Sequence, residues 1–329
     1  MSFYQPPFSI SNQMLSLVAS ISESIGRISL LQNLESKPHL RKNNRISSIH
    51  ASLKIEANSL SLNQVRDVIN GHIVLGEQKE IQEVKNAYAA YDELGKFDPY
   101  NIQDLLHLHN IMTRYIIDEA GVFRKGEEGV FSGEECIFMA PPARFVPQLM
   151  QDLFSWMQKE KTNLHPLILA AVFHYEFVFI HPFADGNGRM ARLWHTAILS
   201  SWKPLFAYLP LESQIEKFQD GYYEAISACH KNGNSNAFIV FMLEQINTVL
   251  TQAASQPYTS ENTSEYVKRL LQAMEPETPY TATTLLEILN LHSKETLRKN
   301  YLNPALKLGV IAMTIPNKPK SRNQRYIKH

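Results

Sequence analysis

Twelve consecutive residues, HPFADGNGRMAR at 181–192, combine side chains that could carry out chemistry on a phosphate. His181 has an ordinary pKa near neutrality and could act as a general base. Asp185 could hold Mg²⁺, which usually takes one or two carboxylates together with phosphate oxygens. Arg189 and Arg192, three positions apart on one helical face, could donate forked hydrogen bonds to successive phosphates.

The same segment lies between two predicted helices. The apolar stretch 163–180 favours a buried helix, and a second helix is predicted over 188–202. The first N–H groups of that second helix have no intrahelical partner and carry partial positive charge, which favours anion binding. Gly186 and Gly188 would let the main chain approach a phosphate closely. Taken alone, a histidine at a helix end is more often a capping or packed residue, and Asp-Gly-Asn-Gly most often forms a turn.

The complete pattern resembles the Fic signature, His-x-Phe-x-(Asp/Glu)-Gly-Asn-Gly-Arg-x-x-Arg, and every specified position matches. The resemblance implies a helical enzyme that moves AMP from ATP to a hydroxyl of a protein. By that similarity His181 would deprotonate the target hydroxyl, Asp185 would position Mg²⁺, and Phe183 would anchor the loop. The backbone of Gly186, Asn187 and Gly188 would form an anion hole, to which the Asn187 side chain would contribute. Arg189 and Arg192 would neutralise the β- and γ-phosphates.

A second segment, SLKIEANSLS at 52–61, is similar to the inhibitory pattern of this family. Ser52 and Glu56 occupy the required places, whereas Ala57 stands where Gly or Asn is usual. The resemblance implies that Glu56 pairs with Arg192 and displaces the γ-phosphate, as a carboxylate can do with a guanidinium. The alternative is a solvated glutamate on a helix. If Glu56 also orients water, the enzyme could remove AMP as well as add it, which the sequence leaves open.

The composition of the chain indicates which classes of partner and which compartment to expect. Thirty-two basic and thirty-two acidic residues balance, so the chain as a whole has no field that would draw it to nucleic acid or to an anionic membrane. Two cysteines, Cys136 and Cys229, do not make a disulfide framework. The first residues do not resemble a signal peptide, and no apolar run of the length of a membrane span occurs. These features predict a cytoplasmic protein with no membrane contact.

Helical spacing of apolar residues predicts a mainly α fold. The exception is 121–142, where glycines, alternating apolar residues and a closing Pro-Pro predict a small β-hairpin. We expect an N-terminal helical region carrying the inhibitory helix, a Fic catalytic core, a linker and a C-terminal winged-helix domain. Their predicted bounds are 1–95, 96–250, 251–264 and 265–329.

The hairpin resembles the family's Gly-x-x-Arg segment followed by a flap, and a flap edge could hold an extended target as an added strand. Ile137, Phe138 and Met139 are the candidate flap residues, although such an apolar run is also typical of a core. Tyr222 is a candidate for stacking on adenine, although tyrosines at helical spacing more often pack in the core.

The C-terminal region is basic. From 291 to 329 it has one acid, Glu295, against nine basic residues. We predict a recognition helix over 293–299, with Lys294, Arg298 and Lys299 reaching DNA phosphates, and a wing with its tip at 318–322. A protein partner and a solvated basic face are the alternatives.

Two functions follow. The first is an autoinhibited protein adenylyltransferase that uses ATP and Mg²⁺ and modifies a Ser, Thr or Tyr of a protein partner. The alternative is a nucleotide-sensing transcriptional regulator or partner-binding module that uses the winged helix. Self-modification, a homodimer and the identity of the target are left open by the sequence.

Overall fold

The computed structural model describes residues 4–31, 38–132, 135–255, 265–275, 278–307, 310–315, 321 and 323–328. The chain divides into two compact units, Met1–Ala254 and Ser255–His329. The regions expected at 1–95 and at 96–250 lie together in the first unit. The prediction of a mainly helical fold is confirmed.

The helices of the first unit, in chain order, are α1 (Asn12–Leu31), α2 (Pro38–Ile55), α3 (Leu62–Ile69), α4 (Gln78–Glu93), α5 (Ile102–Thr113), α6 (Val146–Glu160), α7 (Pro166–Ile180), α8 (Asn187–Trp202), α9 (Leu211–Lys217), α10 (Gln219–Asn232) and α11 (Asn236–Ser255). Short 3₁₀ turns occur at Leu94–Lys96, Ala143–Phe145 and Pro204–Tyr208. None of the helices in the described ranges has the length and apolarity needed to cross a bilayer.

Helix α7 forms the centre of the first unit. Its sequence, PLILAAVFHYEFVFI, is apolar on all sides of the helix. Such a helix has to be covered by protein on all sides. Pro166 is tolerated in the first turn, and His165 Nδ1 accepts a hydrogen bond from the Leu167 N–H. Helix α7 packs against α6 and α8. This packing fixes both ends of the loop that joins α7 to α8.

Strands β1 (Gly129–Ser132) and β2 (Glu135–Met139) form a hairpin, which confirms the hairpin predicted within 121–142. The strands are antiparallel, with Gly129 opposite Met139 and an irregularity between Val130 and Phe131. The side chain of the candidate flap residue Ile137 lies outside the described part of the structure.

The second unit begins with α12 (Glu265–Ala273) and α13 (Ala282–Ile288). A longer helical stretch follows, made of α14 (Lys294–Thr296), a π-helical segment (Leu297–Leu302) and α15 (Asn303–Lys307). Strands β3 (Ile311–Met313) and β4 (Tyr326–Lys328) pair antiparallel. Helices followed by a two-stranded sheet are the elements expected of a winged helix, which stays a prediction. Apart from Ser321, the predicted wing tip at 318–322 lies outside the described residues.

Candidate active site

His181 lies at the end of α7 in the left-handed conformation, with φ of 51°. Its N–H donates to the Phe177 carbonyl at 2.9 Å. Burial lowers the pKa of the imidazole below its ordinary value of 6.5, and this outweighs a hydrogen bond to the Val178 carbonyl that acts in the opposite direction. The side chain is therefore neutral at pH 7, which is the form that can accept a proton.

The loop after His181 is held by its own side chains. Asn187 Oδ1 accepts from the Phe183 N–H at 2.9 Å, and Asn187 Nδ2 donates to the Phe183 carbonyl at 2.7 Å. Helix α8 then begins after Gly186, whose φ of 83° favours glycine. No acceptor in the described structure pairs with the backbone N–H groups of Asn187, Gly188 and Arg189. These three donors form the open N-terminus expected of an anion site.

His109 on α5 supports this loop. Its ring stacks on Phe183, with 3.6 Å between centroids and 5° between planes. Nδ1 accepts from the Gly121 N–H at 2.9 Å, so Nε2 carries the proton and donates to the Asp185 carbonyl at 3.0 Å. Burial lowers the pKa of His109 to about 4, which keeps the ring neutral. His109 thereby fixes the loop at two positions.

Arg124 joins the loop to the hairpin. Its side chain is buried and donates to the carbonyls of His181 at 2.6 Å, Gly126 at 2.7 Å and Pro141 at 2.6 Å. Its own N–H donates to the Pro182 carbonyl at 2.9 Å. One guanidinium therefore ties the end of the flap to the end of α7.

The first motif arginine is paired with two acids. Arg189 is 3% exposed, and its Nη2 donates to Asp185 Oδ1 at 2.7 Å. Its Nη1 lies 3.3 Å from Oε1 of Glu83 on α4. Glu83 Oε2 in turn accepts from Asn58 Nδ2 at 2.8 Å. The segment after the predicted inhibitory motif is thus linked to Arg189 through Glu83.

The second motif arginine is paired with the predicted inhibitory segment. Arg192 Nη2 donates to Glu56 Oε1 at 2.8 Å and to the Ser52 carbonyl at 2.9 Å. Its Nε donates to Ser52 Oγ at 3.1 Å. Burial alone would lower the pKa of Arg192, but the Glu56 charge and further contacts outweigh it and raise the pKa. Nε and Nη2 of the guanidinium are therefore bonded to α2 and to the turn that follows it.

Glu56 is placed by the way α2 ends. The Asn58 N–H donates to the Leu53 carbonyl and the Ala57 N–H to the Lys54 carbonyl, at 3.1 and 3.0 Å. These two hydrogen bonds define a Schellman motif, in which the residue just after the helix end, here Ala57, has a left-handed backbone conformation. Ala57 has φ of 64°, which explains why Gly or Asn suits this position better than Ala.

Glu56 also lies against the first turn of α8. A Cβ placed on Gly188 would collide with Glu56 Oε1. The carboxylate therefore lies against the main chain of Gly188, and the absence of a side chain there permits this approach.

Tyr222, the candidate for adenine stacking, is buried at 2% exposure. Its hydroxyl lies 3.0 Å from His174 Nε2, and its ring packs edge-on against Phe238 and Phe241. The neighbouring Tyr223 is about half exposed. The structure thus places Tyr222 in the core, against His174 of α7 and the aromatic residues of α11.

The flap residues face different surroundings. The Phe138 ring stacks on His230 of α10 at 4.2 Å and lies 5.4 Å from the Phe179 ring. Met139 is 56% exposed. In the second unit, Lys294, Arg298 and Lys299 are all exposed on the long helical stretch.

Sequence reasoning assigned no role to His109, Arg124 or Glu83. The helical spacing of α5 indicates that His109 is buried but does not identify its partner. Arg124 belongs to the Gly-x-x-Arg pattern, which does not identify its partners either. From the sequence, Glu83 resembles an ordinary glutamate on the solvent-exposed face of a helix. Their partners are far away in the chain, so no local pattern identifies them.

Comparison with known proteins shows which family has sequences and structures similar to this chain. The model of the Fic/DOC family matches residues 99–199, and that of the Filamentation induced by cAMP protein Fic-like C-terminal domain matches residues 265–327. Protein adenylyltransferase fic-1 of Caenorhabditis elegans is 31% identical over 182 residues, covering 52% of this chain and 34% of that protein. Protein adenylyltransferase Fic of Nematostella vectensis is 30% identical over 236 residues, covering 66% and 51%.

This chain therefore spans between about a third and a half of the length of these curated relatives. Among solved structures, a Fic family protein from Desulfovibrio desulfuricans G20 covers nearly all of both chains. It is 44% identical, with a TM-score of 0.73, over 99% of this chain and 98% of that one. The resemblance first seen in residues 181–192 is confirmed, and the chain belongs to the Fic family.

Proposed function

We propose that this protein transfers AMP from ATP to a hydroxyl side chain of a protein, and that Glu56 restrains the reaction. The observation that carries this proposal is the junction of α7 and α8, where a neutral His181 precedes an open helix N-terminus backed by two buried arginines. Relatives named protein adenylyltransferases support the same reaction. The cytoplasmic location and a homodimer remain further expectations.

The chemistry follows from the positions of these groups. His181 accepts the proton of the target hydroxyl, whose oxygen attacks the α-phosphorus. The bond between that phosphorus and the bridging oxygen of the β-phosphate breaks, and pyrophosphate leaves. The free N–H groups of Asn187, Gly188 and Arg189 stabilise the charge that develops on phosphate oxygens. Positioning and charge neutralisation supply most of the acceleration in such transfers.

The two motif arginines bind the leaving phosphates in this scheme. Arg192 Nε and Nη2 are bonded to Ser52 and Glu56, so a γ-phosphate has to displace the carboxylate to reach Nη2. Because the Glu56 side chain is 36% exposed, it can swing into solvent without the burial of an unpaired charge. This competition is the proposed restraint.

Magnesium fits the donors of the site. The Asp185 side chain is 35% exposed and uses Oδ1 for Arg189, which leaves Oδ2 for a cation. No group of three or more His, Cys, Asp or Glu suited to a metal occurs among the described side chains. A cation held by one carboxylate and by phosphate oxygens is the usual arrangement for Mg²⁺. When bound, it would neutralise phosphate charge and orient the leaving group.

The target segment is proposed to add to the free edge of β2. Strand β2 pairs with β1 on one side, so its other edge offers backbone groups to an extended chain. Phe138 anchors the flap through His230, whereas the exposed Met139 is free to contact the target, and Ile137 remains a candidate for the same contact.

Labelled ATP tests the proposal. The protein is incubated with ATP labelled on the α-phosphate and, separately, on the γ-phosphate. We expect stable α-label on protein, more with Glu56→Gly than with wild type and none with His181→Ala. Lys42→Gly, exposed on α2 more than three turns before Glu56, controls for a weakened helix and should behave as wild type. Transfer of γ-label, or α-label that survives in His181→Ala, would overturn the assignment.

A second candidate function rests on the second unit. Lys294, Arg298 and Lys299 are exposed on one helical stretch, as DNA contacts would need to be. A nucleotide-sensing DNA-binding protein would show DNA binding that weakens with salt and with Arg298→Ala, and that responds to ATP. His181→Ala should leave that binding intact.

A further inference from the structure

Arg124 is a buried cation whose side-chain partners are all main-chain carbonyls. The guanidinium donates to the carbonyls of His181, Gly126 and Pro141, and Nη2 also lies 3.4 Å from the Ile180 oxygen. None of the ion pairs among the described residues includes Arg124. A charge that is only 3% exposed has lost most of its water, so these carbonyls have to replace that water.

The four carbonyls belong to three segments of the chain. One precedes β1, one follows β2, and two lie at the end of α7. A guanidinium is planar and its N–H groups point in fixed directions, so this one group sets the relative positions of all three segments. The main chain adds a further link, because the Arg124 N–H donates to the Pro182 carbonyl. The base of the flap and the end of α7 are therefore joined at one residue.

The hydrogen bond to the His181 carbonyl acts on a strained residue. His181 has φ of 51°, and a residue other than glycine keeps a left-handed backbone only where its surroundings hold it. The Phe177 carbonyl accepts from its N–H at 2.9 Å, and Arg124 Nε donates to its carbonyl at 2.6 Å. Loss of the Arg124 side chain therefore releases one of the two bonds that hold the backbone of the proposed base.

We propose that Arg124 is a positioning residue that holds the His181 imidazole at a fixed place relative to the target-binding edge of the flap, so that the two move as one unit. This inference rests on the proposed function, in which an extended target lies along β2 and gives its proton to His181. The hydrogen bonds of Arg124 described here go neither to the open N–H groups of α8 nor to the motif arginines. Arg124 thus acts on the approach of the target hydroxyl and not on the binding of ATP.

The first test compares AMP transfer at saturating ATP with the dissociation constant of ATP, using Glu56→Gly as the parent. Arg124→Lys keeps the charge but replaces the planar fork with a single ammonium, and Arg124→Gln removes the charge. We expect both variants to lose transfer by about 10-fold or more, because a displaced base is costly, while the dissociation constant stays within about 2-fold of the parent. Arg144→Gln is the matched control and should keep transfer, since Arg144 is exposed at the same end of the flap, over the Phe145 ring.

The outcomes separate geometry from charge and from folding. Parental transfer in Arg124→Lys would show that the charge alone suffices, and the positioning role would be wrong. A loss of transfer matched by an equal loss of ATP binding would mark a purely structural residue and exclude the positioning role as well. If the parent itself transfers no AMP, the proposed function fails, and hydrogen exchange then decides whether Arg124 joins the flap to α7.

Hydrogen exchange in the wild-type protein measures this link without AMP transfer and without a substitution that could unfold the chain. The Arg124 N–H, bonded to the Pro182 carbonyl, and the Ala140 N–H, bonded to the Glu128 carbonyl, report the two sides of the link. If one guanidinium joins them, both amides should be released in the same opening, and their protection factors should agree within about 5-fold. A larger difference would show that the flap and the end of α7 open independently, which would overturn the inference.

Discussion

Glu83 Oε1 lies 3.3 Å from Arg189 Nη1, and Glu83 Oε2 accepts a hydrogen bond from Asn58 two residues after Glu56. Each of the two motif arginines is therefore paired with a carboxylate from outside the motif, Arg192 with Glu56 and Arg189 with Glu83. Under the proposed function, both carboxylates compete with phosphate oxygens for these arginines.

Glu83→Gln should strengthen ATP binding. The amide keeps an acceptor for Asn58 but removes a negative charge beside the phosphate site, and a unit charge at such distances is worth on the order of 1 kcal/mol or more. We expect the dissociation constant of ATP to fall several-fold, with the effect shrinking at high salt. Glu80→Gln, one turn earlier on α4 and bonded to Ser59, is the control. Unchanged or weaker binding in Glu83→Gln would show that the carboxylate organises Arg189 and does not compete for it.

Ala57→Gly should stabilise the turn that carries Glu56. The left-handed conformation of Ala57 costs roughly 1 kcal/mol that glycine does not incur. Chemical denaturation is expected to show a higher free energy of unfolding, and calorimetry weaker ATP binding because Glu56 is held more firmly. Ala51→Gly, inside α2, should change stability in the opposite direction. A loss of stability in Ala57→Gly would contradict this account of the turn.

The transfer rate should depend on the ionisation of His181. Burial lowers its pKa below 6.5, so the imidazole stays neutral, and able to accept a proton, at lower pH than a free histidine. Initial rates for Glu56→Gly should fall as the pH drops through the lowered pKa, with a midpoint below 6.5. Melting temperatures at each pH separate this effect from unfolding. A midpoint above 6.5 is the result that this interpretation does not allow.

His109→Phe should impair transfer more than folding. A phenyl ring can keep the stack on Phe183 but leaves the Asp185 carbonyl and the Gly121 N–H without their partner. We expect a stability loss of about 1–3 kcal/mol and a loss of transfer of about 10-fold or more, because small displacements of a catalytic loop are costly. His107→Phe, exposed on the same helix, is the control. Wild-type transfer in His109→Phe would exclude a positioning role.

The helical class, the hairpin and the junction at 181–192 could be predicted from the sequence. These features depend on local physics: apolar spacing gives α7, and glycine at 186 permits the left-handed start of α8. Residues 52 and 56 could be linked to Arg192 from the sequence only because a family pattern supplied the pairing.

Which distant side chains serve the site depends on the tertiary structure. In the sequence, His109 and Glu83 resemble ordinary helical residues, since periodicity indicates burial but not the identity of a partner. Tyr222 shows the same limit, because its place on α10 was predictable and its contact with His174 was not. Side chains on separate helices become partners because the helices pack around α7. That packing depends on the whole chain, so no short segment of the sequence predicts the pairs.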